Sequence, residues 1–233
     1  MNVYALFIGG ILPYLAILVF LGGMIYRFYV WFKTPQPGKM TLFPAPSSLA
    51  GGVISEFFFF PSLFRGDKVL WVFSWVFHVT LALVFLGHIR VLTGLIDSIL
   101  MSMGVSDEGI NWMSGTLGGA AGIVLLATGI LLLIRRLVLN RVREISGVPD
   151  FFALLLIVAI IVTGDLMRFG AHFDLEQTRV WAGSLVSFSP VVPKSAMFQV
   201  HVLLAILLIM YIPFSKIMHL GGFFFTNALV KRR

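Results

Sequence analysis

Five long apolar runs, at about residues 3–31, 69–92, 112–134, 151–169 and 196–217, alternate with polar connections along this chain. Each is close to the roughly 20 residues that a helix needs to cross hydrocarbon. The pattern predicts an all-α fold, an integral membrane bundle of five transmembrane helices forming a single domain over residues 1–233. Pro13 is expected to bend the first helix and Pro213 to kink the fifth, interruptions that a packed bundle tolerates. The third run carries Gly115, Gly118, Gly119, Ala120, Ala121 and Gly122, a small-residue face suited to close helix packing. The first run begins almost at Met1 without a cationic leader or an obvious cleavage site, and is expected to be a retained helix.

The polar connections differ in charge. The longest, 34–68, holds Pro35, Pro37, Pro44, Pro46, Pro61 and Gly51–Gly52, too many breakers for one regular element. Within it Ile54–Phe64 is aromatic, with four consecutive phenylalanines at Phe57–Phe60, a segment suited to the membrane interface or to a partner. The connection 95–111 has Asp97, Asp107 and Glu108 and no Lys or Arg. The connection 135–144 has Arg135, Arg136, Arg141 and Arg143, and the chain ends Lys231-Arg232-Arg233. Lys and Arg gather on the cytoplasmic side of membrane proteins. The N-terminus is therefore expected outside and the C-terminus in the cytoplasm.

Composition narrows the class. With 59% hydrophobic and 12% charged residues and a mean hydropathy of +0.99, the chain is too apolar for a soluble domain. It is expected to be a multi-pass protein of the cell's inner (cytoplasmic) membrane. The net charge of +7 then reports orientation rather than nucleic-acid binding. There is no cysteine, which excludes disulfides, Cys-ligated iron–sulfur clusters and haem attached through C-x-x-C-H.

Four of the five histidines sit as two pairs, His78 and His88 in the second run, His201 and His219 in the apolar stretch Phe198–His219 near the C-terminus. An imidazole in hydrocarbon is costly unless it is bonded. With the second helix running outward and the fifth inward, His88 shares a level with His201 and His78 with His219. Ten residues rise about 15 Å and eighteen about 27 Å along a helix, a mean of about 21 Å between the two levels. Eighteen residues are about five turns, so His201 and His219 are expected on one face; ten miss whole turns by about 80°. Four paired imidazoles suggest axial ligation of two b-type haems. Single buried histidines bonded to neighbouring helices, or a di-metal site, are the alternatives. The second lacks the added carboxylates.

At these residues the chain resembles a known family. Phe77-His78, followed after eight residues by Gly87-His88, is similar to the second helix of the gamma, cytochrome b, subunit of respiratory nitrate reductase. The eighteen-residue spacing of His201 and His219 matches that family's second pair. Tyr211–His219, Y-I-P-F-S-K-I-M-H, resembles a sister branch of membrane cytochromes from heterodisulfide-reductase-like and sulfite-reductase-associated complexes. The resemblance implies two haems b, an outer one on His88 and His201 and an inner one on His78 and His219. Gly87 would let the outer haem approach closely. It further implies menaquinone or another quinone as substrate near the outer haem, and cytoplasmic iron–sulfur or reductase subunits as partners.

Arg90, Asp165, Arg168 and His172 are the candidate quinone-site residues, at the outer ends of the second and fourth helices. Arg90 and Arg168 could instead pair with a haem propionate or snorkel to headgroups. His172 could take a quinol proton or be a solvated loop residue. Lys216 and Arg65 could neutralise inner propionates. The function expected is a membrane cytochrome b subunit exchanging electrons between quinone and a cytoplasmic partner. A histidine-containing transporter or proton channel, or a haem-free anchor, are its rivals; no inverted repeat favours the transporter.

Overall fold

The computed structural model describes residues 3–34, 49–170, 174–219 and 222, and these form helices and turns without a strand. In chain order the helices are α1 (Val3–Lys33), α2 (Leu49–Phe59), α3 (Pro61–Gly66), α4 (Lys68–Leu92), α5 (Leu95–Ser102), α6 (Asp107–Val138), α7 (Asn140–Glu144), α8 (Val148–Phe169), α9 (Leu175–Val186) and α10 (Ala196–Tyr211). Five of them, α1, α4, α6, α8 and α10, are long and apolar enough to cross a membrane.

Local chemistry explains where the boundaries differ from the sequence expectation. α6 starts at Asp107 rather than 112 because the Ser106 side chain accepts from Gly109 N, and Asp107 and Glu108 occupy the first turn, where the helix dipole favours acid. α8 starts at Val148, with Asp150 accepting from Gly147 N. The aromatic connection forms two short helices divided at Phe60, whose backbone is left-handed at φ 49°. Residues 35–48 lie outside the described set.

In α1 the distortion expected at Pro13 falls one turn earlier, as a π-helical stretch Phe7–Ile11. Pro13 has no N–H to offer the carbonyl of Gly9. Trp181 Nε1 donates to that carbonyl at 2.8 Å, so α9 satisfies the group that the proline frees.

The fifth helix needs a larger correction. Its α-helix ends at Tyr211, and 3₁₀ turns at Ile212–Phe214 and Lys216–Met218 carry the chain on to His219. Pro213 cannot donate to a carbonyl one turn back, so the helix stops rather than kinks. The shared-face argument for His201 and His219, and the 27 Å straight-helix rise, do not hold.

The spanning helices pack in the order α4–α6–α8–α10–α1, with α9 against α4. One core joins Phe77, Leu125 and Ile161 of α4, α6 and α8; the other joins Ala16, Met167, Phe198, Val202 and Ile206 of α1, α8 and α10. The small-residue face of α6 meets α8 as expected: Gly119 lies under Phe169 and Gly129 under Val158. α4 and α10 belong to different cores and are not closely packed along their lengths. The space between them is where the four histidines lie.

Candidate functional site

Both expected histidine pairs form. The ring centres of His88 and His201 are 6.2 Å apart with planes 14° from parallel. Those of His78 and His219 are 5.8 Å apart and nearly perpendicular, at 86°. The first pair lies toward the Asp97 end of the bundle. The second lies toward the basic end, where Arg135 pairs with Asp67, and Lys216 with Asp150.

Every Nδ1 is engaged. His78 Nδ1 lies 2.6 Å from the Ser74 carbonyl, His88 Nδ1 2.7 Å from that of Val84, and His219 Nδ1 3.1 Å from that of Lys216. A carbonyl can only accept, so these nitrogens carry the proton. His201 Nδ1 meets Thr163 Oγ1 at 2.9 Å. The Thr163 hydroxyl has one hydrogen, which the carbonyls of Ala159 and Ile160 receive, so it accepts from His201. In a neutral imidazole each Nε2 is then unprotonated, and among the described residues none has a hydrogen bond. That is the tautomer a metal ligand requires.

A Cβ placed on Gly87 would meet nothing within 4 Å, whereas one on Gly164 would lie 3.3 Å from His201 Cε1. Gly87 therefore borders open space, and Gly164 lets the His201 ring lie against α8. Phe60 and Phe77 present ring edges to His78 at centroid distances of 5.4 and 5.5 Å. The left-handed backbone of Phe60 is what turns its ring to this position.

The polar candidates do not converge on one point. Arg90 donates to Asp97 at 2.5 Å and to Asn111 at 2.9 Å, and Arg179 donates to Asp97 at 2.5 Å and to the Arg90 carbonyl at 3.1 Å. Arg90 is thus a tie between α4, α5, α6 and α9. Burial alone would raise the Asp97 carboxyl, but its hydrogen bonds and ion pairs with Arg90 and Arg179 outweigh burial and hold it below the ordinary carboxylate value. Arg168 donates to the Ser114 carbonyl at 2.9 Å and lies against Gly118. Asp165 packs on Gly122, and its buried Oδ2 has no hydrogen-bond partner. His172 lies outside the described residues. Arg65 turns back to the Pro61 carbonyl, and Lys216 is held by Asp150 at 2.9 Å.

A cavity of about 410 Å³ opens beside His219, lined by Arg27, Trp31, Ser215, Lys216, Met218 and Gly222 as well. It lies at the basic end, away from Arg90, Asp165 and Arg168.

The model of the nitrate reductase gamma subunit family matches residues 61–232, which include all four paired histidines. The chain belongs to that family. Its relatives span both branches named by the resemblance. The Hdr-like menaquinol oxidoreductase cytochrome b-like subunit of Archaeoglobus fulgidus is 32% identical, over 94% of this chain and 77% of its own length. The nitrate reductase gamma chain of Bacillus subtilis is 26% identical, over 90% of this chain and 88% of its own. A respiratory nitrate reductase gamma chain of Escherichia coli is 34% identical over a shorter stretch, 44% of this chain.

Within this gamma-family chain, sequence reasoning missed Thr163, Gly164, Phe60, Asp97, Arg179 and Arg27. Thr163 is 38 positions from His201 and reads as an ordinary polar residue in an apolar run. Asp97 reads in the sequence only as loop charge.

Proposed function

We propose that this gamma-family chain is the di-haem membrane cytochrome b subunit of a respiratory redox complex. It exchanges electrons between menaquinol, or another quinol, at the outer face of the cytoplasmic membrane and a cytoplasmic iron–sulfur or reductase partner. The observation that carries the reading is the double pairing, His88 with His201 and His78 with His219, at 6.2 and 5.8 Å. With a metal–imidazole bond of about 2.0 Å, two imidazoles ligating one metal from opposite faces have ring centres about 6 Å apart.

The residues fit haem b. Four Nε2 atoms have no hydrogen bond among the described residues, while every Nδ1 of the four has one. The region between α4 and α10 is not closed by helix packing, and the space beside Gly87 is open. The absence of cysteine means that the haem would be held without covalent attachment. His88 and His201 would hold the outer haem, and His78 and His219 the inner one. Haem iron, when bound, would supply one-electron transfer at each level. The chain's own part is to fix the imidazoles, through Thr163 and the carbonyls of Ser74, Val84 and Lys216, and to place two such sites at different depths.

The quinol site is proposed at the outer end of α8 beside α4. Oxidising one quinol to quinone releases two electrons and two protons. Asp165, with an unpartnered carboxylate oxygen one residue from Gly164 and the His201 ring, has the chemistry of the proton acceptor. Arg168, and Arg90 where Asp97 and Asn111 hold it, are the other described members of the proposed site. Protons leaving outside while electrons move inward would add to the membrane potential. The charge bias of the connections supports this orientation.

The test is a reduced-minus-oxidised spectrum and a haem count on the purified protein, then quinol-driven haem reduction in variants retaining both haems. Two haems b are expected, with slowed reduction in Asp165→Asn and Arg168→Ala. No reducible b-type absorption would overturn the function. Wild-type rates in both variants would overturn the quinol site alone.

A further inference from the structure

We propose that Arg27 binds a carboxylate arm of the inner haem and raises that haem's midpoint potential. This rests on the di-haem reading. Arg27 lies in α1, outside the residues matched by the family model, and the paired histidines give no hint of it.

Three observations carry the inference. First, the guanidinium is aimed and only partly used. Arg27 Nε donates to the Pro213 carbonyl at 2.8 Å, in the 3₁₀ turn that replaces the end of α10. This bond fixes the plane of the guanidinium and leaves both terminal amino groups without a partner among the described residues. Second, Arg27 has no carboxylate partner among the described residues. Arg90, Arg135, Arg136, Arg179 and Lys216 are all ion-paired, but Arg27 is not, although it is half-buried in a spanning helix. An unpaired cation there is costly and marks a ligand. Third, Arg27 and His219 line the same 410 Å³ cavity. A group ligated by His219 therefore borders a cavity that Arg27 also lines.

Two other described cations at this end are committed elsewhere. Lys216 is paired with Asp150 and its side chain is 78% exposed. Arg65 is exposed and bonded to its own helix. A guanidinium also suits a carboxylate better than an ammonium does, because two parallel N–H groups match its two oxygens. The electrostatic consequence follows from Coulomb's law. A fixed positive charge, by offsetting the carboxylate, disfavours the more positive oxidised iron and so raises the potential.

The experiment is a potentiometric titration of the purified full chain in neutral-lipid nanodiscs, with the inner haem identified by its loss in His219→Ala. Arg27→Gln is expected to lower the inner potential and leave the outer one unchanged. Arg27→Lys, which keeps the charge, should give a smaller shift. An inner haem of unchanged potential and content in Arg27→Gln would overturn the proposal. Should Arg27→Gln fail to assemble, redox-difference infrared spectra of haem labelled with ¹³C at its carboxylates decide. Those bands should move between wild type and Arg27→Lys, and identical bands would overturn the proposal. A lipid phosphate is the competing anion. An inner potential that follows added phosphatidylglycerol in the wild type but not in Arg27→Gln would assign Arg27 to lipid and overturn it too. Failure of the di-haem reading is distinct, since the wild type itself would then show no inner b-type band.

Discussion

Thr163 Oγ1 accepts a hydrogen bond from His201 Nδ1 at 2.9 Å, joining α8 to α10 at the level of His88. The other three paired histidines are oriented by carbonyls three or four residues back on their own segments. His201 alone among the four depends on a side chain from another helix, so its orientation can be changed by one substitution. Outer partners of this kind set ligand tautomer and basicity, and losing one costs about 10–100-fold in metal affinity. Thr163→Val should therefore weaken outer-haem retention by about tenfold or more, with the inner haem unaffected. Thr163→Ser should retain it. Haem titration of the two variants, resolved by potential, checks this.

On the proposed di-haem reading, the pairing assigns each histidine to one haem. His88→Ala and His201→Ala should remove the same low-spin signal, and His78→Ala and His219→Ala the other. Paramagnetic resonance spectra of the four variants decide it; a common loss in His88→Ala and His219→Ala would break the assignment.

The Arg90–Asp97–Arg179 cluster should be a stability element. Asp97→Asn leaves two guanidiniums without their shared carboxylate, both ends of the Arg90–Asp97 pair being 12% exposed. The expected loss is about 3 kcal/mol, the lower end for breaking a buried pair, because Arg179 is more exposed. The pH dependence has a definite sign. Asp97 has a depressed pKa in the folded protein. Its contribution is complete above the ordinary carboxylate value of about 4 and is lost as pH falls through the lower folded value. Thermal unfolding in detergent between neutral and strongly acid pH should show an acid-side decline that Asp97→Asn lacks.

Phe60 places its ring on His78 from a backbone at φ 49°, where a side chain other than glycine's is strained. Phe60→Gly should be more stable than Phe60→Ala by about 1 kcal/mol, because glycine relieves the strain while both remove the ring. Both should alter the inner haem's spectrum alike. Denaturation midpoints compared with visible spectra separate the two effects.

The orientation is testable in a chain that contains no cysteine. Met103→Cys should react with an impermeant maleimide from outside the cell, and Glu144→Cys only after permeabilisation. External labelling of Glu144→Cys would invert the topology and move the quinol site to the cytoplasmic face.

The limits of the sequence show at particular residues. The number and place of the spanning helices were legible because hydrocarbon demands about 20 consecutive apolar residues in each. The pairing of the histidines was legible too, because level along a helix is set by residue count and orientation by charge bias. His219 shows where this stops. Residue counting placed it on a continuous helix, whereas Pro213 ends that helix at Tyr211 and 3₁₀ turns bring the ring to His78.

By itself, then, the sequence determined the class of protein, its spans and its four pairable imidazoles, since each follows from local composition and one-dimensional spacing. Only the tertiary structure decided how those imidazoles are held and which charges are spent. Thr163 meets His201 because α8 packs on α10. Arg90 is tied to Asp97 because α5 and α9 fold over the end of α4. Among the described residues Arg27 meets no carboxylate, because the broken end of α10 offers it the Pro213 carbonyl instead. Apart from Arg90–Asp97, seven positions apart, these contacts join residues far apart in the chain, and hydrophobic periodicity carries no record of which distant polar groups a fold will bring within 3 Å.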